Sequence, residues 1–320
     1  MTTILPDLDA YGRRARLSAV ADAIEAQALR DPSMSVSDLA DYIRDSAWTF
    51  KLRDQLAGVP AGSISVDPED GSVSLSDEVD ESEDAAEAVF DLLSQRQEIL
   101  QDAYPYQREG ERLVYRGPAD FNEPYLALLA ITLLHAYRVS SALDPRAFFE
   151  EIVGLALSKQ GLLVGNFARE RRSGLTFDDA LERIGQLCKL RPSLGVPAHR
   201  RHAHDEGVDV IAHLKWIDTR PFHWVFLIQA TCGISETWQD KMFQPSISMW
   251  KQWLGLSVLP KAILAVPHHI PSREALYLAD RGDGERLILD RLRLCEFEQI
   301  GAGEAPEVAA FLRAVKVEFG

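Results

Sequence analysis

Cysteine is scarce: there are three in 320 residues, Cys188, Cys232 and Cys295. An odd, scattered set excludes a disulfide framework and offers no CxxC knuckle for zinc. No run of about eighteen apolar residues occurs, so no membrane-spanning helix is expected. The apolar stretch 126–134 is too short to cross a bilayer, and residues 1–16 lack the apolar core of a secretory signal. A reducing cytoplasm is the expected compartment. Internal repeats and long low-complexity tracts are missing as well, which excludes a solenoid.

Positive charge is also in short supply. The formal net charge is -15, which argues at first against a nucleic-acid binder. The distribution alters that inference. Residues 1–140 carry about 26 acidic and 12 basic side chains, and residues 141–320 about 23 and 22. The second half is therefore close to neutral and contains a basic cluster: Arg169, Arg171, Arg172, Arg183, Lys189, Arg191, Arg200 and Arg201. Such a cluster can contact phosphates within an anionic protein, or simply form a solvated helix face.

What is present is a 46% hydrophobic fraction, enough for cores in two domains of ordinary size. The pattern divides the chain near residue 143. In 1–143, helical periodicity over 12–57 and 85–102, and an apolar helix opened by Pro124, predict a mostly helical, acidic domain suited to assembly or sensing. Between them, 58–84 is rich in Gly, Pro, Ser and acidic residues, with two brief alternating segments at Ser63–Val66 and Ser72–Leu75. Its acidic part, 67–84, is a solvated linker or a nucleic-acid mimic that covers the basic cluster. Residues 104–122 read as irregular.

In 144–320 the pattern is α/β. Asp144-Pro145 reads as an N-cap followed by proline at the first helical position, with a helix to Lys159. A second helix is expected over Phe177–Cys188. Val208–Leu214 and Trp224–Ala230 are β-branched, aromatic-rich strands joined by a turn at Asp218–Pro221. A helix over 236–254, strands at Ala262–Val266 and Leu287–Leu289, and a last helix over 306–315 complete the series.

Metal-assisted hydrolysis of a phosphodiester requires carboxylates to hold Mg2+ and a cation to stabilise developing charge. If the two strands form a hairpin about residues 219–220, Asp209 comes opposite Gln229, with Thr231 slightly beyond. Lys241 follows Trp238 by three residues on the next helix, which can swing the ammonium over the strand ends.

The order Phe149-Glu150-Glu151 on a helix, then Gly207-Val208-Asp209, then Gln229-Ala230-Thr231 at a strand end resembles the PD-(D/E)XK, or restriction-endonuclease-like, nuclease superfamily. Gly207–Ala212, Leu227–Gly233, Trp238-x-x-Lys241, Val266–Ile270 and Leu289–Leu294 resemble a variant subgroup among bacterial anti-phage defence proteins. The resemblance covers residues 145–295. It implies a restriction-endonuclease-like mixed central sheet flanked by helices, and a Mg2+- or Mn2+-dependent endodeoxyribonuclease. Glu150, Asp209 and Gln229 would hold the metal, and Lys241 would stabilise the attacking water or the transition state. Arg169, Arg171, Arg172, Arg200 and Arg201 would contact DNA. Other subunits of a defence system and a homodimer are the expected protein partners. The departure is at the third station: Gln229 stands for a carboxylate and Thr231 for the usual lysine, so a cleavage-inactive, nucleic-acid-binding scaffold is the competing expectation.

Other groups read more plainly. His199, His202, His204 and Asp205 have no common zinc spacing. His268-His269 reads as a surface turn, and Trp238 as packing. Cys232 would need a histidine partner in space to act as a nucleophile.

Overall fold

A computed structural model describes residues 2–4, 17–45, 65–66, 73–74, 78–136, 141–193, 206–214, 216, 223–233, 237–271, 275–276, 278, 286–295 and 305–317. The chain divides into two compact units. The first comprises Met1–Leu133, Tyr137–Val139 and Gly303–Gly320; the second comprises Leu134–Ala136 and Ser140–Ala302. The C-terminal tail, expected with the second domain, thus groups with the first. The reason is a pairing that local pattern does not encode: β1 (Thr2–Ile4) and β11 (Val315–Val317) form a parallel two-stranded sheet.

The first unit begins with α1 (Leu17–Ala28) and α2 (Val36–Asp45). A capping box opens α2 within the helical stretch 12–57: Asp38 N–H donates to Ser35 Oγ, and Ser35 N–H donates to Asp38 Oδ2. The two brief segments form the antiparallel pair β2 (Ser65–Val66) and β3 (Val73–Ser74). Then come α3 (Glu78–Leu100), β4 (Tyr106–Glu109), β5 (Arg112–Tyr115) and α4 (Pro124–Ala136). The segment 104–122, expected to be irregular, contains the β4–β5 hairpin, which turns at Gly110 with φ 61°. Only Tyr106 and Leu113 of its strand residues are buried, so its apolar signal is weak. The last helix is α11 (Ala305–Ala314).

Buried charge marks this unit. Arg96 on α3 lies 2.8 Å from both Asp22 and Glu25 of α1. Tyr104 and Tyr125 donate to Glu25 Oε1 at 2.7 and 2.6 Å. All five side chains are almost fully withdrawn from solvent.

The second unit is an α/β layer structure. Its order is α5 (Pro145–Lys159), β6 (Leu162–Asn166), α6 (Phe167–Arg172), α7 (Phe177–Cys188), β7 (Val210–Leu214), β8 (Val225–Ala230), α8 (Trp238–Phe243), α9 (Ile247–Trp253), β9 (Lys261–Ala265), β10 (Arg286–Leu289) and α10 (Arg291–Leu294). One five-stranded mixed sheet has the order β10-β9-β8-β7-β6. The strands β6, β7 and β8 are antiparallel neighbours, whereas β9 runs parallel to β8 and β10 parallel to β9.

Local chemistry accounts for the element ends. Asp144 Oδ1 accepts from Arg146 N–H and Ala147 N–H, and Pro145 follows at the first helical position. Gly161, at φ 78°, releases the chain into β6. The β6–α6 segment carries no strand or helix expectation, because five residues of strand run straight into six of helix. Asn166 makes that switch by accepting from Arg169 N–H at 2.8 Å. The single helix expected over 236–254 is two helices, α8 and α9. Pro245 lies between them, lacks an amide hydrogen and disfavours helix at the residue before it.

The sheet is covered on both faces. Gly154 of α5 faces Val164 of β6, whereas Gly165 of β6 faces Ile184 of α7. Phe167, Ile184, Trp250 and Trp253 form an apolar layer over Ile211, Val225 and Leu227. Burying each such side chain contributes about 1.5–3 kcal/mol. Trp238 and Met242 of α8 pack with Leu264, Val266 and Ile288.

Candidate active site

The β7–β8 register is Val210 opposite Ile228, Ile211 opposite Leu227 and His213 opposite Val225. One step beyond, Asp209 N–H donates to Ile228 O at 2.8 Å. Asp209 and Gln229 therefore stand side by side, as alternation about residues 219–220 predicts. Asp209 Oδ2 accepts from Gln229 Nε2 at 2.7 Å and from Ala230 N–H at 2.7 Å. Both side chains are buried, each 5% exposed. The carbonyl Oε1 of Gln229 is buried and has no hydrogen-bond partner. A buried acceptor without a donor costs about 1–3 kcal/mol, which makes this atom the centre's one uncompensated polar group among those just named.

Glu150 comes to the same region from α5 and is equally buried. Arg172, at the end of α6, grips it in a bidentate pair: Nη1 to Oε1 at 2.7 Å and Nη2 to Oε2 at 2.6 Å. Burial pushes the Glu150 carboxyl up, and the Arg172 hydrogen bonds and charge oppose that rise. Asp144 and Asp209 also act on the Arg172 charge. The neighbouring Glu151 turns to Asn166 Nδ2 and to Arg169 Nη1, at 3.2 and 3.0 Å.

Lys241 is not on Asp209. Its ammonium donates to Gln244 Oε1 at 3.1 Å. Gln244 in turn presses on Gly207, where an added Cβ would come within 2.7 Å of Gln244 Cγ. Lys241 thus stands one side chain away from the backbone two residues before Asp209. Thr231 caps a turn: its Oγ1 accepts from Gly233 N–H at 3.1 Å.

The basic cluster is substantially engaged within its own unit. Arg172 binds Glu150, Arg169 binds Glu151, Arg183 binds Glu170 at 3.0 Å, and Arg171 donates to Leu175 O. Arg169 and Arg172 keep about half of their side chains exposed, at 53% and 45%. Arg200, Arg201, His199, His202, His204, Asp205 and the turn Asp218–Pro221 lie outside the described residues, as do 67–72 and 75–77 of the acidic segment.

His268 and His269, expected on a surface turn, are buried. Arg291 folds the segment inward by donating from its backbone N to His268 O at 3.0 Å and from Nε to Pro267 O at 2.9 Å. Trp238 packs beside His268 and donates to Gly233 O at 2.8 Å.

Cys232 is buried 3.7 Å from Pro145 O, and burial pushes its thiol far up. Burial likewise lifts Cys188, to about 12. A nucleophilic cysteine needs the opposite shift. Native protein should therefore resist Ellman's reagent, and all three buried thiols should react only after denaturation. Rapid stoichiometric labelling of Cys232 in the native fold would restore a thiol mechanism.

Gly207 holds a left-handed backbone against Gln244. Its φ is 74°, and an added Cβ would meet Gln244 C at 3.0 Å. Gly207→Ala should cost about 1–2 kcal/mol from the left-handed backbone alone, visible in denaturant unfolding, and should displace Gln244 and hence Lys241. A variant as stable as wild type would contradict that packing.

Sequence reasoning assigned Arg172 to phosphate and missed its grip on Glu150. The pair is 22 residues apart, and β6 lies between. The run Leu162-Leu-Val-Gly-Asn166 after Gly161 was the available signal for that strand. Among the described residues, no group of three or more His, Cys, Asp or Glu side chains could hold a metal ion. No family model matches the chain, and no curated protein or solved structure matches it either.

Proposed function

We propose that this protein is a divalent-metal-dependent nuclease that hydrolyses DNA phosphodiester bonds, as the effector of a bacterial anti-phage defence system, with the second unit in the restriction-endonuclease-like class. The carrying observation is the Asp209–Gln229 pair across β7 and β8, with the buried, unpartnered Gln229 carbonyl. The succession of α5, the antiparallel β6–β7–β8 and the parallel β9 supports the fold reading: Glu150 lies on α5, Asp209 just before β7 and Gln229 on β8, in the order that the sequence resemblance uses.

The donor types suit a hard cation: one carboxylate and one amide carbonyl are oxygen ligands of the kind Mg2+ or Mn2+ takes. Asp209 supplies the charge and Gln229 Oε1 the neutral oxygen. A bound divalent ion supplies Lewis-acid polarisation of the phosphate and a more acidic water. Lys241, released from Gln244, places its ammonium near the charge that develops on phosphate oxygen. Arg169 and Arg172, with their exposed edges, Arg171, Arg200 and Arg201 meet the backbone. The first unit serves assembly or sensing, and pairing of two copies would let each cut one strand.

Plasmid incubated with Mg2+ or Mn2+ should be nicked or linearised by wild type, much less by Lys241→Ala, and not detectably by Asp209→Ala. Cleavage unaffected by both changes would remove the assignment. Retention of DNA with no cleavage under any metal would favour the scaffold reading, which draws support from Asp209 Oδ2 accepting two protein hydrogen bonds.

A further inference from the structure

We propose that His213 and His223, which meet across β7 and the start of β8, bind a late transition-metal cation of the Cu2+ class. The proposal is independent of the nuclease reading: this pair offers nitrogen, whereas Asp209 and Gln229 offer oxygen.

The strands bring the two rings together. His213 lies opposite Val225, so His223 is its diagonal neighbour on the same face. His213 Nε2 and His223 Nδ1 are 3.0 Å apart. The other nitrogen of His213, Nδ1, lies 2.7 Å from Cys188 O. A carbonyl oxygen can only accept, so Nδ1 carries the hydrogen, and in the neutral ring Nε2 keeps its lone pair. A backbone carbonyl that fixes the ring in this way is the usual outer support of a metal-bound imidazole. His223 needs only to carry its own hydrogen on Nε2 for both facing nitrogens to be ligands.

The geometry suits an ion between them. The ring centroids are 4.7 Å apart, less than a straight N–H···N alignment of two rings would give. The ring axes are therefore bent off the N···N line, a bend that lone pairs converging on one ion require. At the about 2.0–2.1 Å of a zinc–imidazole bond, nitrogens 3.0 Å apart subtend nearly a right angle at the ion. That is the angle between neighbouring ligands in the square-planar and tetragonal shells of Cu2+ and Ni2+, and Cu2+ also leads the affinity order of such donors. Mg2+ and Mn2+ prefer oxygen, so ligand chemistry separates this site from Asp209.

The surroundings agree. Cys188 ends α7, whose C-terminal turn carries partial negative charge that favours a cation. Burial lowers the proton affinity of His213, the Cys188 hydrogen bond opposes that fall, and His223 adds to it. His213 is buried and His223 half-buried, which leaves the ion's remaining positions to solvent oxygen.

Calorimetric Cu2+ titration of the full-length protein, with electron paramagnetic resonance of the bound ion, tests this. His199, His202 and His204 offer competing imidazoles, so the main measurement uses the variant His199→Gln/His202→Gln/His204→Gln. It should bind one Cu2+ per chain with coupling to two nitrogens, and excess Mg2+ should not displace the ion. Adding His223→Gln should weaken binding by about tenfold or more and remove one nitrogen from the spectrum. In the wild-type background the same change should lower the Cu2+ bound per chain by one, which keeps the test decisive if the triple variant fails to fold. Thermal melting verifies each fold. Unchanged affinity and nitrogen coupling after His223→Gln, displacement by Mg2+, or no bound Cu2+ at all would overturn the proposal. The nuclease reading is tested at Asp209 and stands or falls separately.

Discussion

Asp209→Asn should abolish metal-dependent DNA cleavage, by about 100-fold or more, while the protein stays folded. Loss of a group that merely supports a metal ligand already costs about 10–100-fold, so Asp209, the charged ligand of the proposed centre, belongs at or above that range. The asparagine retains one acceptor oxygen for the Ala230 amide, which now donates to Asp209 at 2.7 Å, so the strand end remains anchored. Asp209→Ala does not have this protection. It leaves the Ala230 amide and the Gln229 side-chain amide without their acceptor, at about 1–3 kcal/mol for a buried group left unsatisfied. The two variants therefore separate chemistry from stability. Plasmid nicking at saturating Mn2+, beside denaturant unfolding, makes the comparison. Cleavage by Asp209→Asn at the wild-type rate would remove Asp209 from the mechanism.

The largest effect on stability is expected in the first unit, at Arg96. Its side chain has no exposure and lies 2.8 Å from Asp22 and from Glu25, which are 4% and 0% exposed. Arg96→Met keeps most of the volume but strands two carboxylates away from water. Breaking a buried pair in this way costs about 3–5 kcal/mol. Tyr104 and Tyr125 already donate to Glu25, and two neutral donors do not replace a cation. Burial and the neighbouring Glu25 charge push the Tyr104 hydroxyl well up, so it remains a donor and does not add to the negative charge. Replacing Arg96, Asp22 and Glu25 together by apolar residues should recover most of the loss, because no uncompensated ion is then buried. The midpoint of denaturant unfolding provides the measurement. A loss below about 1 kcal/mol for Arg96→Met would mean that water reaches the network.

The sequence by itself determined whatever depends on periodicity and on neighbours along the chain. Asp144-Pro145 starts α5, helical spacing defines α7 over Phe177–Cys188, and the strands β7, β8, β9 and β10 follow runs of β-branched and apolar residues. The pairing of Asp209 with Gln229 belongs here too, because a hairpin of period two brings residues equidistant from its turn together. Tertiary structure decided the rest. The capture of Glu150 by Arg172, the one-side-chain gap between Lys241 and the strand of Asp209, the inward fold of His268 and the return of the C-terminal tail to the first unit each join segments whose separation carries no local signal. An ion pair depends on where two elements pack and on what else competes for the charges. The order of Glu150, Asp209 and Gln229 is legible along the chain, but only the packing of α5 and α6 against β7 and β8 determined that Glu150 pairs with Arg172 while Asp209 accepts from Gln229 and Ala230.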